Sequence, residues 1–202
     1  MLLVFGAGGL TLQILDTLQQ LQRGGSRIAV VTDEGGEAIH GLPHFAADSA
    51  PDSAVLLAVA APPTRRKLAA RYRSNWSLQA ESARVSSHAQ ISDGHILCHN
   101  TLIEADVRIG RHFQCNVGSF VGHQCVIGDF VTLSPNVTCN GNVHIGPGVF
   151  VGAGAIIRNG SPQEPLVIGQ GAIIGMGAVV TTCVEPHTIV YGNPAKAIRA
   201  VE

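Results

Sequence analysis

The residue best placed by type and spacing to do chemistry is His123, set between Gly122 and Gln124. An imidazole that titrates near neutrality accepts a proton from an amine or a hydroxyl, which is the work of a general base. Asn116, seven residues earlier, has two open readings: it holds a substrate or orients the imidazole, or it is a turn-forming asparagine. Gly6-Ala7-Gly8-Gly9 closes an apolar run and opens a helix-periodic segment, so its backbone N–H groups could receive a diphosphate. The same glycines suit a tight βα turn without a ligand, and Thr11 stands where a G-x-G-x-x-G fingerprint would end. Asp33, at the end of a second apolar run, is either a contact to a ribose or base or a solvated carboxylate.

Metal and disulfide chemistry find no support in the spacing. The chain holds nine histidines, of which His99 shares the hexad position of His123, but no H-x4-H pair lies near His123. A metal-dependent site would need several imidazoles converging on one ion. Cys98, Cys115, Cys125, Cys139 and Cys183 are odd in number and never spaced as CxxC. That excludes a disulfide framework and a zinc ribbon.

The elements that must position these residues fall into two parts. Stepping by six from Ile91 reaches Leu97, Ile103, Ile109, Cys115, Val121, Ile127, Leu133, Cys139, Ile145, Val151 and Ile157. Glycine often follows, and a small or apolar residue such as Val107, Ser119, Cys125 or Val131 stands four beyond the anchor. This is the hexapeptide period of a parallel β-helix, in which three hexads make one triangular coil of roughly eighteen residues around a dry core. His123, third in its hexad, then projects from a corner, and Cys125 faces the core. The register breaks across residues 158–165 and resumes at Ile168, which predicts a loop extruded from one corner. Such excursions tend to lie on binding faces.

The segment before residue 85 reads differently. Leu2–Phe5, Arg27–Thr32 and Val55–Ala60 are expected strands. Leu10, Ile14, Leu18 and Leu21 mark a helix stopped by Gly24-Gly25, and a second helix is expected over Arg65–Arg73 with Thr64 as its N-cap. The pattern predicts an α/β unit with a short parallel sheet, Rossmann-like over residues 1–84, followed by the β-helix over 85–202. Three strands are too few for a six-stranded dinucleotide domain, which argues against a dehydrogenase.

Composition narrows the partners. Thirteen Lys+Arg against fourteen Asp+Glu give a net charge of −1, without the basic footprint that nucleic acid requires. No apolar run approaches the ~20 residues of a membrane span, and no basic n-region precedes the first apolar run. A cytoplasmic location is expected.

The small α/β unit, the hexads, Gly122-His123-Gln124-Cys125-Val126-Ile127-Gly128-Asp129-Phe130 and the tail Tyr191-Gly192-Asn193-Pro194-Ala195-Lys196 together resemble the bacterial hexapeptide-repeat acyltransferases, in the family of sialic-acid O-acetyltransferases and nucleotide-sugar N-acetyltransferases. The resemblance implies a homotrimer of left-handed β-helices, acetyl-CoA in the groove between neighbours, and a UDP- or GDP-linked sugar on the N-terminal unit. It implies His123 as the general base of direct acetyl transfer to an amino or hydroxyl group. Gly141, Ala153 and Gly171 would line the pantetheine channel, and Lys196 would lie near the CoA phosphates. Gln124 stands where many members carry Asp or Glu after the base. Leu10 and Thr132 stand where some members carry histidine. The other readings are sugar O-acetylation by the same machinery and a non-catalytic nucleotide-sugar-binding scaffold.

Overall fold

The structure, a computed structural model, describes residues 1–21, 27–50, 53–72 and 76–200. Gly24-Gly25 and Arg73 therefore lie outside the described residues. At the N-terminus, β1 (Leu2–Phe5), β2 (Ile28–Thr32), β3 (His44–Ala46) and β4 (Ala54–Leu57) form a parallel sheet in the order β3-β2-β1-β4. The runs of β1, β2 and β4 are apolar because helices cover both faces of such a sheet. β3 was not expected: it is three half-buried residues long, too short to show a period.

Two helices complete the unit. α1 (Gly9–Leu21) turns Ile14, Leu15 and Leu18 into a core shared with Leu2, Val4 and Val30 of the sheet and with Leu78 and Ile96 of the following coils. α2 (Pro62–Arg71) covers the other face through Leu68. Thr64, the expected N-cap, lies inside the helix. The helix begins earlier, with proline in its first turn and Ala61 as an N-cap that makes no side-chain bond. Proline is preset for that position by its fixed φ and its missing N–H.

From Leu78 the chain winds into a parallel β-helix with three faces. The first face runs through Leu78–Gln79, Ile96–Leu97, Gln114–Cys115, Thr132–Leu133, Phe150–Val151 and Ile173–Ile174. The second runs through Arg84–Val85, Leu102–Ile103, Phe120–Val121, Thr138–Cys139, Ile156–Ile157 and Val179–Val180. The third begins at Gln90–Ile91 and ends at Leu166–Ile168. Partners in successive coils stand eighteen residues apart, as in Gln114↔Thr132. Every six-residue anchor from Leu97 to Val180 is buried. Coil pairing starts at Leu78↔Ile96, ahead of residue 85, and its first anchor position holds the polar Gln79. The C-terminal tail is an antiparallel pair, Thr188–Tyr191 with Lys196–Ala200, added to the first face.

Arg65 joins the two parts. Its side chain is fully buried, yet among the described residues no carboxylate pairs with it. The guanidinium donates to the carbonyls of Val59, Ala60, His112 and Phe130, and to Gln114 Oε1 and Thr132 Oγ1, at 2.7–3.1 Å. Burial pushes its pKa down to about 9, so it remains cationic at neutral pH.

Candidate active site

His123 follows the second-face strand Phe120–Val121 and stands exposed at the corner leading to Val126–Ile127 on the third face. The next residue, Gln124, adopts a left-handed backbone (φ 58°) and places its amide Oε1 3.2 Å from His123 Nδ1. In the tautomer that makes this contact a hydrogen bond to Gln124 Oε1, Nδ1 carries the proton and donates, and Nε2 is the basic nitrogen. The ring leans onto Gly141 in the coil above, where a Cβ would come within 2.6 Å of Cε1 and Nε2. Glycine at 141 is thus a condition of this ring position.

Below the ring, Glu104 Oε2 accepts the His123 backbone N–H at 3.0 Å. Glu104, His123, Arg84, Ser86 and the apolar Val85 and Leu102 line a cavity of ≈ 450 Å³. Sequence reasoning missed Glu104, although the eighteen-residue coil period places position 104 beneath 122. The extruded loop 158–165 crowns the same corner: Gly160 N donates to Gly141 O at 3.0 Å and Leu166 N to Asn142 O at 3.1 Å.

The other candidates are dispersed. Asn116 lies at the preceding corner, across the second face from His123, and its Oδ1 accepts the Val117 N–H at 2.7 Å. Within one chain it does not orient the imidazole; it caps its own turn. Gly141, Ala153 and Gly171 occupy three different corners, and Lys196 is exposed on the tail. Gly6 (φ 130°) is required by close approach, since a Cβ there would meet Ala58 O at 2.9 Å. Gly8 and Gly9 open α1 with no atom within 4 Å of where a Cβ would be, so Gly6-Ala7-Gly8-Gly9 is clear at its outer end. Asp33 is exposed and its carboxylate takes Arg71 Nη1 at 3.0 Å, a surface pair of small energetic weight.

Two further groups of titratable side chains lie away from His123 or in the core beside it. A larger cleft of ≈ 1030 Å³ lies between α2 and the corners carrying His112 and Phe130. There Arg111 pairs with Asp129, Arg66 sits over the Phe130 ring, and His112 stacks on it at 5.0 Å. Burial, reinforced by Arg65 and Arg111, pushes the His112 pKa down. Among the thiols, burial raises Cys98 to about 11; Cys125 is fully buried, with its Sγ donating to Asn140 O at 3.2 Å and a hydrogen bond with Cys139 holding its pKa down; Cys183 is exposed and its Sγ accepts the Val167 N–H at 3.3 Å. Among the described residues no group of three or more His, Cys, Asp or Glu converges as a metal site, and no helix is long and apolar enough to cross a membrane.

A prism of hexads with the exposed His123 imidazole beside a corner cavity defines the class as a hexapeptide-repeat protein. No protein-family model matches the chain. GDP-perosamine N-acetyltransferase of Escherichia coli O157:H7 is 42% identical over 115 residues, 57% of this chain and 52% of that protein. The match thus spans about half the length of that curated relative. WeeI from Acinetobacter baumannii AYE superposes with a TM-score of 0.94 at 35% identity, covering 98% of this chain and 99% of the other. PerB from Caulobacter crescentus, solved with CoA and GDP-perosamine, superposes with a TM-score of 0.88 at 26% identity over 98% of this chain and 97% of PerB. The chain belongs to the hexapeptide-repeat family of nucleotide-sugar N-acetyltransferases.

Proposed function

We propose that this chain transfers the acetyl group of acetyl-CoA to the amino group of a nucleotide-linked 4-amino-deoxysugar used in surface glycans. The observation that carries the reading is the His123 corner: an exposed imidazole with Nδ1 engaged by Gln124 and Nε2 free, opening on a cavity beside an extruded loop. The amine nitrogen attacks the thioester carbonyl, forming C–N and breaking C–S. His123 takes the proton that the nitrogen releases and returns it to the departing thiolate. Backbone N–H groups in the groove stabilise the oxyanion. The relatives named for GDP-perosamine, and PerB with CoA bound, support this donor and a GDP-linked acceptor.

The reading extends to the assembly. The prism is taken as a left-handed β-helix over 85–202, and residues 1–84 as a Rossmann-like unit holding the nucleotide at Gly6, Ala7, Gly8 and Gly9 with Asp33. Three chains form a homotrimer in the cytoplasm, with acetyl-CoA between neighbouring prisms. A groove of that kind unites residues that one chain keeps on separate corners, namely Gly141, Ala153 and Gly171, with Lys196 toward the CoA phosphates. The outward side chains of the second face support it: Leu102 and Ile156 are exposed, with half-buried Phe120 and Val179 in the same row.

The test is thiol release from acetyl-CoA, followed with a chromogenic disulfide, against GDP-, UDP- and dTDP-linked amino sugars and free sialic acid. Release with a GDP-linked amino sugar, reduced about 10²–10⁴-fold in His123→Ala, is expected. Equal rates in wild type and His123→Ala would remove His123 as the base. Release only with sialic acid would move the chain to O-acetylation.

A further inference from the structure

The cavity beside His123 contains a carboxylate that acetyl transfer as described does not use. Glu104 spends Oε2 on the His123 backbone N–H at 3.0 Å, and among the described residues its other oxygen has no hydrogen-bond partner. One end of the carboxylate is therefore fixed while the group lines the cavity into which the imidazole projects. The remaining charged and polar lining is Arg84 and Ser86. In the coil above, Asn140, Gly141 and Asn142 are uncharged. Asp106 is exposed one coil beneath Gln124, and Arg158 and Glu164 are exposed on the crowning loop.

A neutral alcohol gains little from such a group. An amino sugar near neutral pH is largely an ammonium ion, and its nitrogen becomes cationic again in the tetrahedral adduct, before the base removes a proton. A carboxylate beside the base serves both species through a charge-assisted hydrogen bond. Gln124, a neutral amide already turned to Nδ1, cannot supply that charge.

We propose that Glu104 is the specificity-determining residue that receives the acceptor's ammonium group beside His123 and so selects amines over hydroxyls. This rests on the acetyl-transfer reading above. Discrimination between an amine and its isosteric alcohol comes from the buried or fixed polar group left unmatched by the wrong one.

The test is calorimetric binding, without acetyl-CoA, of GDP-perosamine and of its 4-hydroxy counterpart to wild type, Glu104→Gln and Glu104→Asp. Glu104→Gln keeps an oxygen for the His123 N–H and removes only the charge. Wild type is expected to prefer the amine at least about tenfold, Glu104→Gln to bind the two within about threefold, and Glu104→Asp to retain most of the preference. An undiminished preference in Glu104→Gln overturns the proposal while leaving acetyl transfer intact. Failure of wild type to bind either sugar nucleotide overturns the acceptor reading, and the role of Glu104 with it.

Discussion

At the scale of single residues, the site depends on what is absent as much as on what is present. A methyl group at position 141 would stand 2.6 Å from His123 Cε1 and Nε2 and 3.0 Å from Cδ2, so the ring must swing away. Gly141→Ala is expected to lower kcat at least tenfold, because reacting groups misplaced by about an ångström lose rate steeply. The corner backbone is not left-handed at 141, so the melting temperature should move only a few degrees. Cys125→Ser is the contrasting substitution. The side chain is two residues from His123 but fully buried, and a hydroxyl can donate to Asn140 O as the thiol does. Activity is expected to fall less than tenfold, and a loss beyond 100-fold in thiol release would implicate Cys125 in a covalent step.

At the scale of elements, the union of α2 with the prism hangs on Arg65. Replacing it by methionine would orphan the carbonyls of Val59, His112 and Phe130 together with Gln114 Oε1, whereas Ala60 O keeps the Thr132 hydroxyl as a donor at 2.7 Å. Each buried acceptor left unpaired costs about 1–3 kcal/mol, so Arg65→Met is expected to lose about 3 kcal/mol or more in chemical denaturation. A loss below about 1 kcal/mol would mean that water reaches these carbonyls. Nothing in Pro63-Thr64-Arg65-Arg66-Lys67 sets Arg65 apart from its exposed neighbours, because its β-helix partners lie 47 to 67 residues away. Glu104 was hidden for the same reason, its partner His123 being nineteen residues on. The coils were legible because their burial repeats every six residues, and His123 because third hexad positions must point outward. β3 was illegible because three half-buried residues carry no period, and Thr64 misled because Pro62 had already started the helix.

At the scale of the whole molecule, the second face is the surface that one chain leaves unfinished. Its outward row starts at Arg84 and carries Leu102, Phe120, Ile156 and Val179 with Thr138 between the second and third of these, and the face ends at the corner bearing His123 and loop 158–165. Exposed apolar side chains gathered on one face of a folded chain mark contact surfaces. Burying a large aliphatic side chain contributes about 1.5–3 kcal/mol, repeated at each interface of a closed ring. Ile156, 42% exposed and in the row's upper part, can be changed without touching the cavity that Leu102 lines. Ile156→Glu would place three carboxylates against apolar partners in the proposed trimer. Sedimentation is expected to show wild type at three times the chain mass and Ile156→Glu at the mass of one chain, with far-ultraviolet dichroism unchanged. Acetyl transfer should fall together with assembly, since the proposed acetyl-CoA groove lies between copies. A wild type that sediments as a single chain while turning over an amino sugar would place the whole site within one prism. In that case the apolar row would serve a different partner.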